Sequence, residues 1–363
     1  MGAFEASELM LMCACPANKV VYDDKEMPSI MVYIPKFRLC DVLSTADTSV
    51  HPAFKVNGTE IDGFYVGKYQ TKHQNSRAYS LPFVDPSASA GLDTFVSYAR
   101  NKGAGHHEIT CAEWAAIALW CHKNGTEPKG NNNYGKDSSE TLYKAVPSMP
   151  RDSSNRIQRV ATGTGPVTWS HDGTQAGIWD MNGNVFEWCS GLRLVNGEVQ
   201  ILENNNAAAD NADLSASSSA WKAIKASDGT LITPDGNGTT TGSVKLDWTG
   251  STWTYDTTIS HATGSHGVAF KDVTAQSSIG TAAQLLLQAL AMLPDPNLTG
   301  TGIDTTYGGD YFYADNSQAE RCLLRGGSWN NGSNYGVFCS NLHDGRSYSI
   351  TDFGGRSAFI GTP

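Results

Sequence analysis

The spacing of apolar and polar positions divides the chain into a first half with clear elements, a polar middle and a glycine-punctuated end. Ser29 to Pro35, SIMVYIP, is a β-branched and aromatic run, and Gly63 to Tyr69 alternates with period two, so both are predicted strands. Leu92 to Lys102 sets Leu92, Phe95, Val96 and Ala99 on one helical face and stops at Gly103. A second helix is predicted over Cys111 to Lys123. Thr110 and Glu113 form its capping box, Trp114, Ala115, Ala118, Leu119 and Cys121 make it apolar, and Asn124-Gly125 ends it. Between the helices, His106-His107-Glu108 is predicted to be a polar turn, because adjacent histidines point apart and do not converge on a metal. Gly177 to Trp188, GIWDMNGNVFEW, predicts strand, turn and strand about Asn182-Gly183.

From about 191 to 320 the pattern loosens into Asn204-Asn205-Asn206, Ser217-Ser218-Ser219 and repeated Thr-Gly pairs. So long a stretch without structure is foreign to a compact domain. Val244 to Trp248 and Thr252 to Tyr255 alternate as a hairpin would, and Ala282 to Leu293 is an apolar helix stopped by Pro294. Too few elements are present for an independent core, so the stretch is expected to be an insertion packed on the main domain.

At the end, Leu323-Leu324 and Gly336-Val337-Phe338 are predicted adjacent strands, with Ser357 to Ile360 closing the chain. Gly, Ser, Asn, Asp, Tyr and His fill the gaps, so the segment is expected at the surface. One omission stands out. The 34 residues from Asn330 onward contain no Lys, Glu, Gln, Met or Trp, types that supply 53 of the preceding 329 residues. On ordinary composition such a gap arises in under roughly one window in a hundred. These five are the types whose codons cannot end in a pyrimidine, so codons randomised at their first two bases with a pyrimidine kept third would leave this signature.

RGGSW at Arg325–Trp329, the following NNGSNYGVF and the terminal GGRSAF closely resemble the variable region of diversity-generating retroelement target proteins. In that family a reverse transcriptase miscopies template adenines and rewrites Asn codons within a C-type-lectin-like domain. GIWDMNGNVFEW looks like the GLYDMxGNVWEW signature of the formylglycine-generating-enzyme superfamily, and ITCAEWAAIALW resembles its LPTEAEWEYAA helix. The resemblance implies an α+β, C-type-lectin-like fold of that type, with short antiparallel strands, two main helices and the 191–320 insertion. It implies an N-terminal segment 1–26, a domain 27–363 and a variable region 325–358.

By the same resemblance, Tyr335, Cys339, His343, Asp344, Tyr348, Ile350, Thr351, Asp352 and Phe353 are replaced positions, and Asn341 an unaltered template residue, all ten counted as ligand-binding. Arg325, Gly326, Gly327, Trp329, Gly336, Phe338, Leu342, Arg346 and Arg356 are scaffold. Tyr335, Tyr348 and Phe353 are candidate anchors, since rigid aromatics bury area at low entropic cost, with Asn341, His343, Asp344 and Asp352 as hydrogen-bonding groups. In relatives the turn binds a structural calcium, which by position falls to Asp180, Gly183, Val185 and Glu187. The alternative is that Asp180 and Glu187 only hydrogen-bond loop amides. No cofactor is otherwise required. Relatives often end in GFR, whereas Gly355 stands at the aromatic position here, which is expected to weaken packing of the last strand.

Composition narrows the function further. A net charge of −10 without a Lys/Arg cluster argues against nucleic acid. Eight cysteines without CxxC units are too few for a disulfide scaffold and give no zinc motif, so free thiols are expected. The run Leu9 to Cys15 follows Glu5 and Glu8 rather than a basic region, so neither a signal peptide nor membrane insertion is expected. The superfamily's copper oxidase uses two C-terminal cysteines. Only Cys339 is offered in that stretch, where a second thiol would fall in Leu342-His343-Asp344-Gly345. GxSxG, Walker and HExxH motifs are absent, as are the EPN and QPD signatures of sugar-binding lectins. The expectation is a non-enzymatic binder of a protein or glycan ligand, on a phage particle or bacterial surface. A formylglycine-type oxidase and a fixed structural phage or surface protein are the alternatives.

Overall fold

Helix Cys111–Asn124 is the element around which the rest is built: from Cys111 to Leu119 every side chain is buried. A helix apolar on all sides belongs inside a core, and its ends are closed as the sequence predicts. Thr110 accepts a hydrogen bond from Glu113 N at 3.1 Å while Glu113 accepts one from Thr110 N, and Gly125 adopts φ 65° beyond the last turn. The computed structural model describes residues 3–361. Residues 1, 2, 362 and 363, the outer ends of the expected segment and domain, lie outside them. Among the described residues no helix is long and apolar enough to cross a membrane.

The fold is α+β. An antiparallel five-stranded sheet runs in the order Asn18–Tyr22, Pro28–Pro35, Gly63–Gly67, Ser357–Phe359 and His106–Glu108. It therefore begins before residue 27, where the domain is expected to start. The last strand sits between two partners, and Gly355 explains why an aromatic is not needed before it. A Cβ there would lie 2.1 Å from Glu108 Oε1 and 2.8 Å from the Phe95 ring. The expected weakening is thus corrected: the space an aromatic would take is already filled.

The second sheet carries the candidate face. Its path includes Tyr311–Ala314, Ser340–Leu342, Arg321–Arg325, Phe186–Val195, Glu198–Ile201, Lys245–Trp248 and Trp253–Asp256. Strand Phe186–Val195 runs past residue 191, so the insertion starts inside a strand. It turns through Asn196 and Gly197, both at positive φ, into Glu198–Ile201, a tight Asn-Gly hairpin that the sequence spells out. Trp253, Tyr255 and Leu287 of the insertion share one core with Phe64, Trp114 and Phe338.

Four predicted elements differ. His106-His107-Glu108 is a buried strand, not a turn; most of its polar atoms are paired, His106 Nδ1 and Glu108 Oε2 being the exceptions. His107 Nε2 lies 2.8 Å from Glu113 Oε1, and Glu108 Oε1 accepts Arg356 N at 2.9 Å. The first arm of the predicted 177–188 hairpin is loop, because Asp180, Gly183 and Asn184 all take left-handed φ (63°, 76° and 65°) and the strand starts only at Phe186. The apolar helix covers Thr281–Ala289 and ends before Pro294, with Ala291 at φ 49°. Finally, Ser340–Leu342 rather than Gly336 to Phe338 pairs with Arg321–Arg325.

Candidate functional site

The C-terminal segment is mostly interior. Arg325, wholly buried, donates from Nη2 to Leu290 O at 2.9 Å and from both Nη atoms to Ala291 O at 3.2 Å, and it also holds Ser340 Oγ. These partners are neutral. What compensates the buried cation is the carbonyl end of helix Thr281–Ala289, where a positive charge is favoured. Gly326 and Gly327 follow at φ 83° and 79°, and a Cβ on Gly327 would stand 2.5 Å from that of Tyr335. Trp114 Nε1 donates to Val337 O at 2.8 Å, tying the segment to the central helix. Phe338, Leu342, Trp329 and Arg356 are buried as well.

Above this base lies a chain of aromatic contacts. Tyr348 meets Phe353 (centroids 5.7 Å apart), Phe353 meets Phe186 (5.5 Å), Phe186 meets Tyr335 (5.8 Å), and Tyr335 meets Tyr311 (6.2 Å). Tyr313, on the same side of its strand as Tyr311, lies 5.4 Å from the His343 ring. The chain passes through residues contributed by three parts of the sequence. Tyr311 and Tyr313 were missed because they belong to the insertion, although the alternation Tyr311-Phe312-Tyr313-Ala314 is a strand signal.

The ten candidate ligand-binding residues separate by depth. Tyr348 and Ile350 are 48% and 37% exposed, and Thr351 is exposed too. Tyr335, His343 and Asp352 are half-buried. Cys339, Asn341, Asp344 and Phe353 are buried, which corrects the expectation that all ten lie at the surface. Phe353 and Cys339 belong to the apolar floor with Phe186, Trp188 and Leu324. Asn341 is spent locally, accepting His343 N at 2.9 Å and donating to Asp344 Oδ2 at 3.2 Å. Burial raises the carboxyl pKa of Asp344 and of Asp352, the latter opposed by the Ser328 hydroxyl, which donates to it at 3.0 Å. Burial also raises the Tyr335 phenol. His343 meets the Ser265 hydroxyl through Nδ1.

Residues 347–351 form the outermost loop, and its frame is fixed from below. Arg346 makes a two-pronged pair with Glu320 (2.7 and 3.0 Å) and reaches Asp93 Oδ1 at 2.7 Å, while its carbonyl accepts Leu92 N at 2.9 Å. Ser89 N donates to Ile350 O at 3.0 Å, and Arg159 Nη1 to Thr351 O at 2.7 Å. Every one of these anchors acts on backbone or on Arg346, so the side chains from Ser347 to Thr351 are free to differ without loss of a tether.

The four residues to which calcium was carried over do converge, but on a nitrogen. Gln70 Nε2 lies 3.1 Å from Asp180 O, 3.2 Å from Gly183 O, 2.9 Å from Val185 O and 3.0 Å from Glu187 Oε1. Asp180 Oδ2 accepts Gly163 N at 2.9 Å while its buried Oδ1 has no hydrogen-bond partner among the described residues, and burial pushes its pKa up to about 6. Glu187 is paired with Arg356 at 2.6 and 2.7 Å, both side chains fully buried. Calcium takes six to eight hard oxygens at about 2.3–2.6 Å, so these residues do not fit it with Gln70 in place.

Both thiols of the apolar floor are shifted by burial, Cys322 to about 12 and Cys339 well upward, so neither is poised as a thiolate ligand. All eight cysteines are free.

No family model and no curated protein matches the sequence. Solved structures similar to it include PvdO from Pseudomonas aeruginosa (13% identity, 94% of this chain and 97% of that one, TM-score 0.37). The Major Tropism Determinant P3c variant aligns at 10% identity over 94% of this chain and 71% of its own, with TM-score 0.32. Treponema denticola variable protein 1 aligns at 13% identity over 95% and 99%, with TM-score 0.30.

Proposed function

We propose that this protein binds a ligand, of protein or glycan chemistry, through a genetically diversified surface on a C-type-lectin-like scaffold, as the target of a diversity-generating retroelement. One observation carries the reading. In the stretch that lacks Lys, Glu, Gln, Met and Trp, residues 347–351 display their side chains outward from a backbone held by Arg346, Leu92, Ser89 and Arg159. A site rewritten by mutation needs geometry that is independent of the side chains it carries. That independence is what these tethers supply.

The working face then consists of exposed Tyr348, Ile350 and Thr351 together with half-buried Tyr335, His343 and Asp352, and Tyr311 and Tyr313 as fixed neighbours. Rigid aromatics next to hydroxyls and a carboxylate suit recognition of an irregular partner surface. No catalytic role is assigned in this reading; the floor's two thiols are buried, which pushes both upward from the ordinary thiol range. A place on a phage particle or a bacterial surface follows from the same reading, as the position in which a changeable binding face meets changing partners.

Sequencing the DNA beside the gene tests this. The expected finding is an adenine-rich near-copy of the 3′ coding stretch, differing at the codons for Tyr335, His343, Tyr348, Ile350, Thr351 and Asp352, with a reverse-transcriptase gene nearby. Sister clones identical from 330 to 353 with no such repeat would overturn it and leave a fixed structural protein.

A further inference from the structure

The cage formed by Asp180, Gly183, Val185 and Glu187 has its centre filled by the protein itself, and the identity of the filling atom follows from the hydrogen bonds around it. Val160 N, which can only donate, lies 2.9 Å from Asn184 Oδ1. That fixes the Asn184 amide, so its Nδ2 faces Val160 O at 3.1 Å and Gln70 Oε1 at 3.0 Å. Gln70 Oε1 is thereby an acceptor toward Asn184, and the Nε2 end must face the cage. Flipping Gln70 would set one amide nitrogen against another and an oxygen against four oxygens.

We propose that the Gln70 amide nitrogen is a built-in substitute for a cation, so that the turn beneath the candidate face folds and holds its shape without a metal ion. Three observations converge on this. The nitrogen lies 2.9–3.2 Å from four oxygens, which share its two N–H groups. Gln70 is wholly buried, so no water competes for those oxygens. The charge of Glu187 is already answered by the Arg356 guanidinium, and a divalent ion in the cage would sit beside that cation and repel it. The arrangement also reaches the surface: Val185 and Glu187 flank Phe186, whose ring touches both Phe353 and Tyr335, and Phe353 pairs in register with Phe186.

Gln70→Glu replaces the donor by an acceptor of nearly the same shape, leaving a carboxylate among four oxygens. This variant should melt well below wild type in chelator at neutral pH, and calcium should raise its Tm, on the order of 5 °C or more. Wild-type protein should retain no calcium after dialysis against it, measured by elemental mass spectrometry, and should melt at the same temperature in EDTA and in calcium. One bound calcium per wild-type chain, or a wild-type Tm that falls in EDTA, overturns the proposal. So does a Gln70→Glu variant that melts like wild type in chelator. Should that variant fail to fold without calcium, the two wild-type measurements decide alone.

Discussion

Residues 347–351 and 353–359 are neighbours in one segment, drawn from the same restricted set of residue types, yet they meet opposite physical conditions. Residues 353–359 are buried throughout: Phe353 lies in the apolar floor, Arg356 is locked to Glu187, and Ser357–Phe359 is hydrogen-bonded on both edges. Residues 347–351 are exposed throughout and are held by their backbone. The difference teaches that composition does not mark where variation is tolerated. What marks it is whether the structure grips a residue by its side chain or by its main chain.

The largest way to test that contrast is Arg356→Met. The buried guanidinium bonds Glu187, Gly67 O and Trp179 O, and its loss leaves Glu187 an uncompensated buried charge. A cost of about 3–5 kcal/mol is expected, read from urea unfolding; a loss under about 1 kcal/mol, the scale of an exposed pair, would show that the grip is not there. Next comes Gly327→Ala, which adds strain at φ 79° and a contact 2.5 Å from Tyr335 Cβ. It should cost about 1–3 kcal/mol and displace Tyr335, visible as a change in near-ultraviolet circular dichroism.

The smallest effects on stability belong to the outer loop. Tyr348→Ala, Ile350→Ala and Thr351→Ala should each change unfolding free energy by no more than about 0.5 kcal/mol. Against a binder selected on the wild-type face, the same three should weaken affinity, with Tyr348 dominant as the one aromatic ring of the three. A triple variant that unfolds would erase the distinction between the two stretches.

Legibility in the chain followed the range of the forces involved. The capped helix at Cys111–Asn124, the strand at Pro28–Pro35 and the Trp248–Trp253 hairpin were readable because capping and periodicity act within a few residues. The burial of His106 to Glu108 is not legible locally because their side chains also find partners in distant segments, His106 at Tyr22 O and Glu108 at Arg356 N, 248 residues away. The local pattern does not single out the strand at Ser340–Leu342, because Gly336 to Phe338 looks equally extended. Phe338 N is instead taken by Asp310 and Val337 O by Trp114.

The candidate face divides in the same way. The missing residue types from Asn330 onward, and the glycines that permit left-handed turns at 326 and 327, are properties of the chain alone. Only the tertiary structure decided that Cys339, Asn341, Asp344 and Phe353 face inward, that Tyr311 and Tyr313 of the insertion join the aromatic chain, and that Gln70 lies at the centre of the turn. The physical reason is that burial and hydrogen-bond partnership are set by which distant segments share a sheet or a cage, and no local pattern records that.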